Sequence, residues 1–111
     1  MTEINPMRID ANRLQVLGSQ NMHDVLTLYL QSADICFARL ERAGAENNDE
    51  LWAETLNAMQ EAATAVTAMR LASICRECAA VEASKAQTHL YALQKELLLL
   101  RGEINHILTQ E

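Results

Sequence analysis

The sequence contains few of the residues that favour strands and tight turns. Its 111 residues include three glycines and one proline, and only 4% are aromatic, although half are apolar. Alanine, leucine, glutamate and glutamine are frequent, and these residues favour helices. A chain of this length can bury one modest hydrophobic core and is too short for two. We therefore expect one all-α domain over residues 1–111.

Positive charge and long apolar runs are also scarce. Nine Lys and Arg stand against 15 Asp and Glu, which gives a formal net charge of −6 and a pI near 5.0. Proteins that bind nucleic acids or anionic lipids present clusters of Lys and Arg on their surface. We therefore expect neither nucleic acid nor membrane as a partner. No stretch approaches the roughly 20 apolar residues of a membrane span, and the first ten residues lack the apolar centre of a signal peptide. We expect a soluble cytoplasmic protein.

Cysteine is rare, and the three cysteines are odd in number. Cys75 and Cys78 form a single C-x-x-C motif in a helical pattern, and Cys36 stands alone. A zinc site would need two further ligands, and the sequence has no second pair and no H-x3-H motif. We interpret the cysteines as small apolar core residues and expect no metal and no cofactor. A metal or redox role for the C-x-x-C motif is the minor alternative.

Apolar residues recur with helical spacing in the first half of the chain. Asp10 can cap a short first helix and Gly18 can end it. A longer helix is predicted to begin at Asn21 and to end at Gly44. Its apolar stripe is Met22, Val25, Tyr29, Ala33, Cys36 and Leu40, with Leu26 and Phe37 beside it. This stripe predicts a helix with one buried side.

The second half of the chain continues the helical period with few breaks. Asn47 and Glu50 match a capping box that would begin the third helix. The apolar period then runs to Ser84, which is too long for one helix in so small a domain, so we predict a break near Thr67, whose hydroxyl can cap a new helix. Ser84 or Thr88 would begin the last helix. The pattern predicts an antiparallel up-down four-helix bundle with a short extra N-terminal helix. Its predicted core includes Trp52, Leu56, Met59, Val66, Leu71, Ile74 and Leu97.

The third helix carries an unusual polar face. At about 100° per residue, Asn57, Glu61 and Thr64 lie opposite the apolar side, and Gln60 lies at their edge. The stretch "NAMQEAATAVTAM" contains a single charged residue, Glu61. The outer side of this helix is therefore polar but nearly uncharged.

The stretch "LNAMQEAATAVTAMRLASICREC", residues 56–78, resembles the signature of histidine phosphotransfer (HPt) domains, approximately A-H-x-L-K-G-S-A-x-x-L-G-A-x-x-L-x-x-x-C-x-x-L-E. The stretches "IDANRLQVLG" and "VLTLYLQSADICFARLERA" are similar to the first two helices of that family, so the resemblance extends from Ile9 to about Val81. It implies a break at Thr67, where the family has glycine. The positions that match in type are Met59, Ala62, Ala63, Val66, Ala68, Leu71 and Cys75.

The departures from the signature fall on the positions that carry the family's chemistry. Asn57 replaces the phosphorylated histidine, and a delocalised carboxamide nitrogen is not a nucleophile as an imidazole nitrogen is. Gln60 replaces a lysine and supplies no positive charge to a phosphate. Glu61 replaces a glycine, and it adds bulk and a negative charge that repels the acidic pocket of a receiver domain. All three changes act against phosphotransfer.

Two further features bear on partners. Leu28 and Ile35 lie seven residues apart and point away from the apolar stripe of the second helix, which is typical of a contact surface unless Leu14 and Leu17 cover them. His23, His89 and His106 lie outside any setting similar to that of the HPt histidine, and we interpret them as surface or capping residues.

We consider two classes of function. In the first, the chain is a non-catalytic HPt-like module that binds a receiver domain or a sensor kinase through Asn57, Gln60, Glu61, Thr64, Leu28 and Ile35. In the second, it is a helical interaction or structural bundle unrelated to phosphorelay, with a homodimer as one form of it, and the polar face is only solvated. We do not expect an enzyme, because no nucleophile, base and orienting group occur at recognisable spacing.

Overall fold

The structure of the chain, a computed structural model, describes residues 9–14 and 18–109. These residues form helices and no strand, so the predicted all-α class is confirmed. A 3₁₀ turn at Ala83–Lys85 precedes the last helix. The helices are α1 (Ala11–Leu14), α2 (Ser19–Glu46), α3 (Asp49–Ala65), α4 (Met69–Ala79) and α5 (Ala86–Thr109).

The four long helices form the predicted bundle. α3 packs against α2 and α4, and α5 closes the bundle by packing against the same two helices. The largest fully buried side chains include Trp52, Leu56, Leu71 and Leu93. Among the described residues, no helix combines the length and the apolarity that a membrane span requires.

The segment around α1 joins distant parts of the bundle. Asp10 caps α1 as predicted, because its Oδ1 accepts a hydrogen bond from the Arg13 amide at 3.2 Å. The Ile9 side chain is buried, and its amide donates to Glu103 Oε1 at 3.0 Å. The Asp10 amide donates to Thr67 Oγ1 at 2.6 Å. Consecutive amides therefore contact α5 and the α3–α4 connection.

The predicted bounds of α2 are wrong at both ends. Gly18, with φ +85°, is the N-cap of α2, which begins at Ser19 rather than at Asn21. The helix does not end at Gly44 but continues to Glu46, and Asn47 closes it in the left-handed region with φ 53°. Leu17, a candidate to cover Leu28 and Ile35, lies outside the described residues.

Gly44 is needed for the close packing of two helices and does not end a helix. A Cβ atom added at Gly44 would lie 2.8 Å from the Cβ of Ala86, the first residue of α5. That distance is well inside ordinary van der Waals contact. The glycine therefore allows α2 and α5 to approach each other closely.

The connections on either side of α3 lie where they were predicted, but the residues that cap the helices differ from the predicted ones. Asn48, not Asn47, caps α3, and its Oδ1 accepts from the Leu51 amide at 3.0 Å. The chain breaks at Thr67 as predicted, with φ 62°. However, the N-cap of α4 is Ala68, which makes no side-chain cap, and the Thr67 hydroxyl accepts from Asp10 instead.

The last helix begins after the 3₁₀ turn, and neither Ser84 nor Thr88 opens it. Ser84 lies within the turn and Thr88 lies inside α5. The Ala83 amide donates to Asp49 Oδ1 at 2.8 Å, so the first residue of α3 holds this turn in place.

The predicted core is mostly correct. Trp52, Leu56, Met59, Val66 and Leu71 are buried, whereas Ile74 and Leu97 are half-buried and pack against the core. The pattern missed two buried polar residues, Thr55 of α3 and Glu96 of α5. Glu96 Oε1 lies 4.0 Å from Arg70 Nε of α4.

Candidate docking surface

The polar face predicted for α3 is exposed at its centre. Asn57, Glu61 and Thr64 are exposed, and Gln60 is half-buried at the edge that faces α4. Trp52 fixes the rotation of α3, because its buried Nε1 donates to the carbonyl oxygen of Cys78 on α4 at 3.1 Å. The apolar side of α3 is therefore held inward, and its polar side faces outward.

Gln60 links this face to α4. With its carboxamide oxygen turned towards α4, Gln60 accepts from Nε and Nη2 of Arg76, both at 3.3 Å. The Thr64 hydroxyl donates to the Gln60 backbone oxygen at 2.9 Å. An exposed guanidinium thus lies at the edge of the polar face. Arg76 could not be predicted from the sequence, because the spacing of residues within one helix does not reveal a contact between two helices.

The outer side of α3 as a whole is acidic and not nearly uncharged as predicted, because the prediction considered only the stretch from Asn57 onward. Glu50, Glu54 and Glu61 are all exposed there. With Arg76 as the neighbouring cation, the face can form hydrogen bonds and ion pairs. A carboxamide at position 57 offers no nucleophile comparable to an imidazole.

The two apolar residues predicted as contact candidates are exposed. Leu28 is 63% exposed and Ile35 is 56% exposed, and both lie on α2. Leu14 does not cover them, since it is buried in the core. They lie on the outer side of α2.

A groove of about 280 Å³ separates α2 from α3 beside these residues. It is lined by Arg39 and Arg42 of α2 and by Glu54 and Ala58 of α3, together with Cys36, Leu51 and Thr55. Ile35 directly precedes Cys36, and Asn57 directly precedes Ala58. The groove is therefore lined by residues that neighbour Ile35 and Asn57 in sequence, and its charged lining comes from Arg39, Arg42 and Glu54.

The histidines lie away from this surface. His23 is in the first part of α2, His89 is in the first turn of α5, and His106 is in the last turn of α5. None belongs to α3 or α4. Within the described residues, no group of three or more His, Cys, Asp or Glu is arranged to hold a metal ion.

The cysteines are buried and free, as expected of core residues. Burial, with the nearby Cys78 and Cys36 thiols, raises the pKa of Cys75 to about 12. Burial and the Glu77 carboxylate raise the pKa of Cys78 to about 11. Both thiols are therefore protonated near neutral pH, which opposes nucleophilic chemistry and metal binding by the C-x-x-C motif.

Two solved structures share this architecture. The histidine-containing phosphotransfer protein B (HptB) of Pseudomonas aeruginosa PAO1 superposes with a TM-score of 0.87 at 14% identity, over 96% of this chain and 99% of HptB. The HPT domain of a Shewanella hybrid histidine kinase superposes with a TM-score of 0.77 at 13% identity, over 94% of this chain and 96% of that domain. No protein-family model and no curated protein matches the chain by sequence. The predicted resemblance to HPt proteins is confirmed in the fold.

Proposed function

We propose that this chain, which has the histidine phosphotransfer fold, is a phosphorelay signalling module that binds a receiver domain or a sensor kinase without accepting a phosphoryl group. The position of Asn57 is the main support. The resemblance of residues 56–78 to the HPt signature implies that Asn57 stands where the family has its histidine, and Asn57 is exposed in the middle of α3. A partner can reach it, but its carboxamide is not a nucleophile. In this proposal residues 1–111 act as one domain in the cytoplasm.

The proposed docking surface combines two helices. α3 contributes Asn57, Gln60, Glu61 and Thr64, and α2 contributes Leu28 and Ile35. Apolar side chains surrounded by polar ones are typical of protein interfaces, where the apolar centre supplies most of the binding energy. Leu28 and Ile35 would therefore supply the affinity, and the α3 residues would set the choice of partner.

Charge on this surface distinguishes among partners. Glu61 and Glu54 repel an acidic pocket, whereas Arg76, held beside Gln60, attracts one. The guanidinium restores a cation at the edge of the face, although it comes from α4 rather than from position 60. An acidic partner can thus still bind, with less attraction than a lysine at position 60 would give.

Binding can be tested with a bulky residue on the proposed surface. Ala58 is exposed between Asn57 and the α2 groove, and Ala92 is exposed on α5. We expect calorimetric titration against the receiver domains and kinase domains of the same organism to identify a partner, with Ala58→Trp weakening its binding at least 10-fold. The matched control, Ala92→Trp, should bind as the parent chain does.

The opposite results would favour the structural-bundle alternative. If no receiver or kinase domain binds the folded chain, the proposed class of partner is wrong. If the two tryptophan variants weaken binding equally, the partner does not dock on the α2–α3 surface.

Phosphotransfer itself can be tested directly. Incubation with phosphorylated receivers or kinases should leave no acid-labile, base-stable label on the chain, because position 57 carries asparagine. A label on His23, His89 or His106 would reveal an acceptor elsewhere and contradict the non-catalytic part of the proposal.

A further inference from the structure

A row of exposed side chains runs along the outer side of α2. Its members recur at three- and four-residue steps and therefore share one side of the helix. We call this set the α2 row: Asp24, Leu28, Gln31, Ser32, Ile35, Arg39 and Arg42.

Charge is ordered along the α2 row. Asp24 lies towards the N-terminal end, Arg39 and Arg42 lie towards the C-terminal end, and the exposed Leu28 and Ile35 lie between them. The exposed Glu46 follows Arg42 on the same side, in the last turn of α2. Within the described residues, neither arginine makes a hydrogen bond or an ion pair, and the Asp24 contact is local, from Gln20 Nε2 to Oδ1 at 3.1 Å. These charges are therefore available to a partner.

The helix dipole does not account for this order. A dipole favours acids in the first turn and bases in the last turn, and its effect falls off beyond them. Asp24 lies more than one turn after Ser19, and Arg39 lies almost two turns before Glu46. The dipole also leaves the exposure of Leu28 and Ile35 unexplained.

The α2 row is complementary to itself. The midpoint of the row lies between Gln31 and Ser32. Leu28 and Ile35 lie equally far from this midpoint on opposite sides, and so do Asp24 and Arg39. We propose that two copies of the chain associate by antiparallel packing of α2 on α2. A two-fold axis at the midpoint brings Leu28 of one copy to Ile35 of the second, and Asp24 of one copy to Arg39 and Arg42 of the second.

The other exposed apolar residues lack this complementarity. On α5, Tyr91 and Leu98 are 71% and 64% exposed, and Lys95 lies between them. No exposed acid follows on that side of α5 to pair with the lysine of a second copy. The arrangement of charge therefore favours α2 as the surface that recognises a second copy.

The interface is small, and the dimer is accordingly weak. The interface consists of one pair of helices with four large apolar side chains. The area that it buries lies at the low end for specific interfaces, which bury roughly 1,200 Å² or more in total. Exposed ion pairs add little each and are screened by salt. We expect a reversible dimer that appears as the protein concentration rises and that weakens in high salt.

The dimer would also regulate docking. It covers Leu28 and Ile35, so a receiver or kinase would compete with the second copy for the same side chains. This consequence rests on the proposed function, whereas the dimer itself does not.

Charge reversal tests the dimer without any receiver or kinase, using sedimentation velocity over a range of concentrations. The parent chain should associate. Asp24→Arg alone should associate at least 10-fold more weakly, and so should the double variant Arg39→Glu/Arg42→Glu, because each then sets like charges against one another. A mixture of the two variants should regain association, since every contact in the mixed dimer joins opposite charges.

Lys95→Glu on α5 is the matched control and should associate as the parent chain does. The proposal is overturned if the parent chain stays monomeric at millimolar concentration, if the charge variants associate as the parent does, or if their mixture remains monomeric. Because no receiver or kinase is present, these results are independent of the proposed function.

Discussion

The two faces of α3 differ in how closely they follow the HPt signature. On the inner face the matched residues Met59, Ala63 and Val66 are buried, and so are Ala68, Leu71 and Cys75 in the residues that follow. On the outer face Asn57, Gln60 and Glu61 all depart from it. The fold depends on the inner positions and the chemistry on the outer ones, so one can change while the other is kept.

The largest effect is expected from rebuilding the outer face. The triple variant Asn57→His/Gln60→Lys/Glu61→Gly places an imidazole on the exposed side, returns a cation and removes bulk and negative charge. It should accept phosphate from at least one cognate or promiscuous donor, measured as acid-labile label, whereas Asn57→His alone should do so poorly. Glycine in a helix costs on the order of 1 kcal/mol, which a bundle a few kcal/mol stable tolerates.

The structure adds a refinement to this variant. Lysine at position 60 would lie beside Arg76, where the two cations repel each other. Arg76 is nevertheless kept in the triple variant, since its guanidinium also attracts an acidic phosphate donor. A folded triple variant that binds receivers yet never labels would show that Asn57 does not occupy the acceptor position.

The inner face can be tested by stability. Leu56→Ala removes a fully buried side chain and should lower the free energy of unfolding by about 2 to 5 kcal/mol. Glu54→Ala, on the exposed side of the same helix, should change it by less than about 0.5 kcal/mol. Chemical denaturation followed by circular dichroism measures both, and equal effects would mean that the two faces are wrongly assigned.

A smaller effect on stability is expected from replacing Gly44, which packs against another helix, and Gly102, which does not. Gly44→Ala forces the α2–α5 contact apart, at a cost of about 1 to 3 kcal/mol that the better helix propensity of alanine partly offsets. Gly102→Ala meets nothing within 4 Å and should instead stabilise the chain by about 0.5 to 1 kcal/mol. The temperature of thermal unfolding should therefore fall for Gly44→Ala and rise for Gly102→Ala. A shift in the same direction for both variants would contradict the packing role of Gly44.

Sequence patterns predicted the parts of the fold that depend on local spacing. The helical period gave the bundle and most of the core, and helix length together with the family resemblance gave the break at Thr67. The exposure of Leu28 and Ile35 also followed from their spacing. Each of these features depends on neighbours within one helix or one turn.

The errors concern contacts between elements. Gly44 was interpreted as a helix end, because a glycine that packs against Ala86 has the same local sequence as one that stops a helix. For the same reason the Thr67 hydroxyl was predicted to cap α4 and Arg76 was not predicted at all, since their partners are Asp10 and Gln60 on other elements. Spacing along a chain does not record which helices will lie side by side.

The hydrogen bonds of Ile9 and Asp10 have a consequence for the order of folding. They join residues separated by 94 and 57 positions, so they close very large loops, and loop closure carries an entropic cost. Neither bond can form until α5 and the α3–α4 connection have reached their final places. The Ile9 amide hydrogen is therefore a reporter of the docking of this N-terminal segment on α5, protected from exchange with solvent only when the segment and α5 are in place.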